Sequence, residues 1–479
     1  MAGFLHGVET FEKQKGSVPV NFVPTAVVGI TGVALEGKVN EPILITSEKD
    51  FAQFGVDKVG TTILDALTNG FKQKSTVCIV INVLDPSVHK TSVTDEIVTV
   101  QIDGSFKLAN PAVTGVSVKS STGTAIAATE YTLNASTGVG ARVATSSAIA
   151  ASTASVTTTL KVSYTYADPS KVTASDIIGG ITLAGKRTGM KALRDSYALF
   201  GFFPKLLIAP VFSSLNSVAV ENTAMAHSIK AIAFNDAPAG ITPQQAITGR
   251  GALGTINFNT SSDRTGLCYP QVKVFDTTAN VESLYPLSVK VAFEYAKVDQ
   301  EKGFWWSASN QEIRGITGME RPIDAMINDP NSEANLLNAA GIITIFNSYG
   351  TGMRIWGNRS AAFPASTDPT TFICVRRTAD VIEESMEYAT LQFIDRPLDS
   401  ATIDAIIETG NGFMRKLIGM GAVINGRVWF DKTLNTKEEL ANGHLTLCYD
   451  FMPPTATERV TYIVNINTNY LADLYKQAA

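Results

Sequence analysis

The 479-residue sequence has few of the residues that build catalytic or metal sites. Its four histidines show no ligand-cluster spacing. Its four cysteines are far apart and show neither CxxC spacing nor a disulfide framework, so we expect reduced, buried thiols in a protein made in a cytosol. Charged residues are 17% of the chain, the net charge is −5, and no acidic or basic block stands out. The sequence therefore predicts no cofactor, no metal and no nucleic-acid partner.

Long apolar runs are also missing. A membrane-spanning helix needs roughly 20 apolar residues, and the best run, Leu199–Phe212, is broken by Pro204, Lys205 and Pro210. That run predicts a buried strand, and we expect no membrane insertion. Met1–Lys15 has four charged side chains and no apolar segment, so we expect no signal peptide.

The patterns that are present divide the chain. Strand and helix signals alternate before residue 91 and again after 175, with a strand at Thr25–Val33, a helix at Thr61–Phe71 and a strand at Val77–Leu84. Between Thr91 and Ser175, 29 of 85 residues are Ser or Thr, and short alternating stretches replace the helices. This change indicates an inserted all-β domain, because insertions succeed at exposed loops. The alternative is a disordered Ser/Thr-rich linker.

We predict an α/β and α+β multidomain protein, since one core does not serve 479 residues. The predicted units are an extended N-terminal arm at 1–24, a discontinuous α/β core at 25–90 plus 176–371, an inserted β-sandwich-like outer domain at 91–175, an α+β C-terminal domain at 372–457, and a C-terminal strand arm and tail at 458–479.

Within the C-terminal unit, Asp380 and Glu383 have capping-box spacing and predict a helix start. Asp399 predicts the start of a second helix. Alternating strands at Val423–Phe430 and Leu445–Phe451 follow, with a possible turn at Asn425-Gly426.

Both chain ends contain extended segments. Arg459–Asn467 alternates with a period of two, and Phe4–Phe11 is a second extended candidate. Terminal strands have N–H and C=O groups that must pair with their own domain or with a neighbour. The candidate inter-subunit residues are Phe4, Leu5, Val8, Phe11, Val460, Tyr462, Val464 and Ile466.

Two glycine motifs suggest an alternative, a nucleotide-binding α/β enzyme. Gly180-x4-Gly185-Lys186 nearly matches a phosphate-binding loop, but Arg187 replaces the hydroxyl residue that would bind magnesium. Gly249–Gly254 matches GxGxxG without a strand before it or a helix after it. Phe304-Trp305-Trp306 could stack a ligand, although such triplets more often anchor a core or an interface.

A longer set of motifs resembles the contractile tail sheath proteins of bacteriophages. The resemblance covers most of the chain outside 91–175, and its ordered run from 309 to 380 is specific. The matching segments are Val28–Gly32, Asn40–Pro42, Ser47–Gly55, Ser309–Ile313, Gly315–Thr317, Asn335–Asn338, Gly341–Thr344, Arg354–Arg359, Val375–Asp380, Gly426–Asp431, Pro453-Pro454 and Glu458-Arg459.

The resemblance implies a structural, non-enzymatic subunit of a virion tail, assembled in the bacterial cytoplasm. Such subunits stack as hexameric rings around an inner tail tube, contract from a metastable state and meet baseplate and tail terminator proteins. It also implies that Gly3–Phe11 and Arg459–Asn467 add strands to a neighbour's sheet. Arg415 and Lys416 could face the tube, or form a solvated helix end. A phage-tail-like bacteriocin or other injection system is the closest alternative, and an adhesin-like role for the Ser/Thr-rich block is a third.

Overall fold

The computed structural model describes residues 22–251, 253–276, 280–348, 350 and 352–471. Within these ranges the strands are β1 Val27–Gly32, β2 Ile43–Ile45, β3 Val77–Asn82, β4 Lys90–Val100, β5 Ser105–Lys107, β6 Val113–Ser120, β7 Ala125–Ile126, β8 Tyr131–Asn134, β9 Val139–Arg142, β10 Thr158–Ala167, β11 Leu206–Ile208, β12 Ile232–Asp236, β13 Thr265–Cys268, β14 Val272–Asp276, β15 Val281–Tyr285, β16 Gly318–Met319, β17 Ile342–Ser348, β18 Gly352–Trp356, β19 Asn425–Phe430 and β20 Leu447–Met452.

The α-helices in the described ranges are α1 Ile63–Phe71, α2 Ala174–Ile178, α3 Ser196–Phe200, α4 Asn216–Ser228, α5 Pro243–Thr248, α6 Leu287–Glu301, α7 Glu333–Ala339, α8 Ile373–Thr390, α9 Ser400–Met420 and α10 Lys437–Ala441. None of the helices in this part of the chain is long and apolar enough to cross a membrane. Residues Glu48–Phe54 form a 3-10 helix that begins with a Ser47/Asp50 capping box.

An eight-stranded sheet in the order β18-β17-β13-β12-β11-β1-β3-β2 forms the centre of the molecule. The six inner strands are parallel, and the two edge strands run antiparallel to their neighbours. β1 is apolar on both faces because helices cover both: α1 and α6 pack on one, and α2 and α4 on the other. The mixed α/β fold class is confirmed.

Between residues 90 and 167, two smaller sheets form apart from the central one, in the orders β4-β10-β6-β7 and β5-β9-β8. Residues of both sheets, including Val98, Phe106 and Leu160, meet in one apolar cluster. Lys90 pairs with Ala167 where the chain leaves and re-enters the central body. The folded alternative predicted for this block therefore agrees with the structure, and the disordered linker does not.

The C-terminal helices and the β19–β20 hairpin share a separate cluster with Phe304, Phe413 and Leu417. Asp399 caps α9 as predicted, accepting from the Thr402 N–H. The predicted helix start at Asp380 is wrong, because α8 begins at Ile373 and Asp380 lies inside it. The possible turn at Asn425-Gly426 is also wrong, since both residues are in β19.

Candidate functional site

Helix α8 is joined to the central body by ion pairs that are largely buried. Arg264, just before β13, donates to both carboxylate oxygens of Asp380 at 2.6 and 2.7 Å. Lys205, just before β11, donates to Glu384 at 2.6 Å, and Arg377 pairs with Asp299 of α6. Buried charges of this kind stabilise a structure only when paired. The pairs therefore fix one docking position for α8.

The buried surroundings of Lys205 and Glu384 disfavour the charged form of each side chain when its partner is absent. Burial lowers the pKa of Lys205 and raises the pKa of Glu384. Each ion is therefore stabilised mainly by the other. Interpreting Asp380 as a helix cap missed this network of ion pairs. The pattern that could have revealed the network is the series of charged residues on one face of the helix, from Arg376 to Glu387.

Helix α9 holds the two cations that were predicted to face a tube. Arg415 pairs with Glu408, and both side chains are more than 60% exposed. The Lys416 ammonium lies 4.4 Å from the ring centroid of Phe22, which also packs against Phe304 and Phe413. Phe22 is the first described residue.

The hairpin of β19 and β20 packs on α9. Val428 of β19 is buried in the shared cluster, while Tyr449 of β20 is 38% exposed. β19 and β20 form a two-stranded sheet, and an isolated two-stranded ribbon is marginally stable in water. The hairpin therefore depends on its packing against α9 for stability.

The chain leaves the hairpin through Pro453 and Pro454 and is fastened once more at Glu458. Arg359 donates to both Glu458 oxygens at 2.8 and 2.7 Å. The Arg359 guanidinium also stacks 3.5 Å from the ring centroid of Phe372 and donates to the Thr371 hydroxyl at 2.6 Å. A bidentate, stacked arginine has a defined direction, so it sets where the C-terminal arm starts. Sequence reasoning missed this anchor.

Beyond Glu458 the side chains of the arm are exposed. Val460, Tyr462, Val464 and Ile466 are 63, 84, 82 and 89% accessible, and Ile463 on the opposite face is 96% accessible. The predicted strand at Arg459–Asn467 is absent from the single chain, where these residues have no regular secondary structure. Phe4, Leu5, Val8 and Phe11 lie outside the described residues. The inter-subunit role of both sets stays a prediction.

Neither glycine loop forms a phosphate cradle. The N–H groups of Gly180, Gly185 and Lys186 donate within their own turn, and the Lys186 ammonium pairs with Glu41 at 3.0 Å. In the second loop, Gly249 and Gly251 donate to helix carbonyls. A phosphate site needs such N–H groups free to point at the ligand. Phe304 is buried beside Phe22, as expected for an anchor rather than a stacking platform.

Comparison with known proteins agrees with this arrangement. Residues 185–361 match the phage tail sheath protein central domain, and residues 365–467 match the phage tail sheath C-terminal domain. The chain is 51% identical over 476 residues to the tail sheath protein of Burkholderia phage BcepMu, covering 99% of each chain. It is 34% identical over 301 residues to a putative prophage major tail sheath protein of Pseudomonas aeruginosa, covering 63% of this chain and 75% of that one.

Among solved structures, the helical sheath of the anti-feeding prophage in its contracted state has a TM-score of 0.58 at 16% identity, covering 97% of this chain and 100% of that one. The contracted sheath complex of an extracellular contractile injection system, PVC, has a TM-score of 0.57 at 14% identity, covering 98 and 99%. These similarities concern the fold.

The two family models and the 51% identical relative define the class of the chain as a structural sheath protein. The chain belongs to the phage tail sheath family and is a component of a contractile virion tail. The resemblance found in the sequence is therefore confirmed, and the enzyme and adhesin alternatives are not supported.

Proposed function

We propose that this chain polymerises as stacked hexameric rings around an inner tail tube and contracts to drive the tube through the host envelope. The observation that carries the proposal is the C-terminal arm, whose apolar side chains are exposed on both faces just after the Arg359–Glu458 anchor. An exposed, alternating apolar segment requires a partner. Strand addition to another copy supplies one.

The partners follow from the same proposal. They are neighbouring sheath subunits, the inner tube protein, and baseplate and tail terminator proteins at the two ends, with assembly in the bacterial cytoplasm. The fold similarity to a baseplate assembly of the anti-feeding prophage supports the baseplate contact. The chain acts without catalysis, because the energy is stored in the assembled lattice.

Contraction requires two packings of one subunit that differ in free energy. Shifting the ratio of the two packings from 1:99 to 99:1 takes about 5.5 kcal/mol of free energy. Coupled subunits reach this total when each contributes a small free-energy difference. The ion pairs of α8 keep the body rigid while the arm beyond Glu458 remains free to follow a neighbour. Head-to-tail contacts that do not close on themselves also generate a helical polymer.

The domain division proposed for this role is 1–24, 25–90 plus 176–371, 91–175, 372–457 and 458–479. The 91–175 block would decorate the outside of the cylinder. Its contacts with the body support this, since they lie at one end of the block: Lys58 donates to Asn110 and lies 4.2 Å over the ring of Tyr166, and Ala112, Ala167 and Val172 join an apolar cluster of the body.

Arg415 and Lys416 remain candidates for the tube-facing surface. Their exposure on α9 supports the proposal. The Glu408 carboxylate already pairs with Arg415 and offsets its positive charge. Lys416, whose ammonium lies over the ring of Phe22, is therefore the stronger of the two candidates. A solvated helix end is the competing explanation.

Deletion of residues 459–479 tests the proposal. We expect a soluble chain with an unchanged circular dichroism spectrum that forms no cylinders, because the side chains of the described part of the arm, 459–471, are exposed. The matched control replaces residues 459–467 with a Gly/Ser segment of equal length, which retains the chain length and removes the apolar alternation. Long cylinders in electron micrographs of either variant would contradict the proposal.

Removal of the 91–166 segment tests the decorating role. The two cut ends, Lys90 and Ala167, are direct partners in the β4–β10 ladder, so a short Gly-containing linker can rejoin them. We expect cylinders of normal length and a smaller outer diameter. A variant that folds by circular dichroism and never assembles would overturn the outward placement.

A further inference from the structure

Residues 310–314, called the edge segment below, lie along the outer edge of β18. β18 is the last strand of the central sheet on its side, so its outer N–H and C=O groups need a cover. The Asn310 N–H donates to the Ile355 carbonyl at 2.6 Å. The Ile313 N–H donates to the Met353 carbonyl at 2.9 Å. The edge segment, part of a motif that resembles the sheath family, therefore closes the edge of the sheet.

The other side of the edge segment is held by two side chains of the central body. Gln73, just after α1, donates from Nε2 to the Glu312 carbonyl and accepts at Oε1 from the Arg314 N–H, each at 2.7 Å. Lys290 of α6 donates from Nζ to the Arg314 carbonyl at 3.0 Å and to the Asn69 carbonyl of α1 at 2.9 Å. Lys290 therefore ties the end of the edge segment to α1.

Lys290 is fully buried and has no counter-ion in the part of the chain that the structure describes. Its Nζ is bonded there to two backbone carbonyls and to no carboxylate. An ammonium has three N–H donors, whereas a neutral amine has two, which is the number of carbonyls that the site offers. A buried, unpaired charge is also strongly unfavourable. The surroundings of Lys290 therefore fit the neutral amine.

The charged groups near Lys290 do not change this conclusion. Lys72 of α1 has a charge of the same sign, and Glu294, one turn along α6, is already paired with Lys297 at 3.0 Å. Burial, and after it the positive charge of Lys72, lower the pKa of Lys290 to about 7. The charged side chains of the edge segment itself are exposed, and they are Glu312 and Arg314.

We propose that Lys290 is a pH-sensitive switch for the edge segment: its neutral amine holds residues 310–314 against α1, and its protonation releases them. In the neutral form, both N–H groups of the amine are used by the two carbonyls. Protonation places an unpaired charge in a site closed to solvent, and opening of the edge segment relieves this cost because water reaches Nζ. The switch works in the unassembled chain and does not depend on the proposed polymerisation.

The direction of the pH effect follows from two protonation equilibria. A solvent-exposed lysine has a pKa of about 10.4, whereas the pKa of Lys290 in the closed structure is about 7. Between these values the open form binds more protons, so the closed form is favoured as the pH rises and is lost as the pH falls. Below about pH 7 both forms are protonated, and the effect levels off.

Cleavage by trypsin after Arg314 measures opening, because the Arg314 carbonyl is bonded to Lys290 in the closed structure. The unassembled full chain is digested at pH 8.5 and pH 6.5, and each rate is divided by that of a peptide with the same cleavage site. We expect the normalised rate at this bond to rise at least about tenfold at the lower pH. An unchanged rate would overturn the proposal.

Two lysine variants show whether Lys290 is the titrating group. Lys290→Met cannot donate to either carbonyl, so we expect faster cleavage at pH 8.5 and a change of less than about twofold between the two pH values. Lys74→Met is the matched control, since Lys74 is exposed and paired with Glu301, and it should keep the wild-type pH dependence. The same pH dependence in wild type and Lys290→Met would assign the effect to another group and refute the switch.

Carbon-13 NMR of the full chain, labelled at lysine Cε, tests the charge state directly. We expect the signal that is lost in Lys290→Met to titrate near pH 7 in the wild type. Lys72→Met leaves Lys290 in place and identifies the same signal independently, because removal of the neighbouring positive charge should raise its midpoint. A Lys290 signal that titrates above about pH 9, as an exposed lysine does, would overturn the proposal.

Discussion

Asp380→Ala will lower the free energy of unfolding by about 3–5 kcal/mol, the usual cost of breaking one side of a buried ion pair. Arg264 is nearly buried and makes a bidentate pair with Asp380, so its guanidinium would be left without a carboxylate. Arg376, one helical turn before Asp380, would lose one of its two carboxylates and keep Glu383. Urea unfolding of the unassembled chain, followed by tryptophan fluorescence, measures the change.

Asp404→Ala is the matched control, because Asp404 is exposed on α9. It should change stability by no more than about 0.5 kcal/mol. The double variant Arg264→Met with Asp380→Leu should recover much of the loss, since removing both partners leaves no unpaired charge. Equal midpoints of urea unfolding for Asp380→Ala and Asp404→Ala would show that the docking of α8 does not depend on the Arg264–Asp380 pair.

Arg250→Met will destabilise the central body by a similar amount, about 3–5 kcal/mol, which places it among severe single substitutions. The guanidinium donates to five backbone carbonyls, in Phe258, Thr260, Ala340, Ala361 and Phe363. Burial lowers the pKa of Arg250 to about 10, so it stays charged at neutral pH. Methionine would leave several of these carbonyls without a donor.

Arg250→Lys should fall between wild type and Arg250→Met, because an ammonium has three donors for five acceptors. Arg415→Met makes the same change at an exposed pair and should cost no more than about 1 kcal/mol. Thermal unfolding of the three variants side by side gives the ranking. If Arg250→Met and Arg415→Met unfold at the same temperature, the loops that Arg250 joins are held by other contacts.

Arg250 also explains the GxGxxG match at Gly249–Gly254. The loop bends around a structural arginine that ties α5 to the segments before β13 and after β18, and the glycines permit close backbone approach there: a Cβ on Gly254 would lie 2.3 Å from the Gly249 carbonyl oxygen. The motif match, which lacks a preceding strand, therefore does not indicate nucleotide binding, because its glycines serve close backbone packing around Arg250.

Elements with strong local signals were predictable. The β-branched strand at Thr25–Val33, the helix at Thr61–Phe71 and the strand at Val77–Leu84 depend on neighbours in sequence, and the structure has β1, α1 and β3 there. Short strands such as Thr265–Cys268 were missed, because a four-residue segment has little pattern and becomes a strand only when β12 and β17 lie on both sides.

The sequence by itself determined the class of protein, through ordered motifs. Tertiary structure alone decided the role of Asp380, the Arg359–Glu458 anchor and the two hydrogen bonds that join the Asn411 side chain to the backbone of Val428. Each of these joins residues at least 17 positions apart. Such contacts depend on where the backbone places two side chains in space, and no periodicity along the chain encodes that placement.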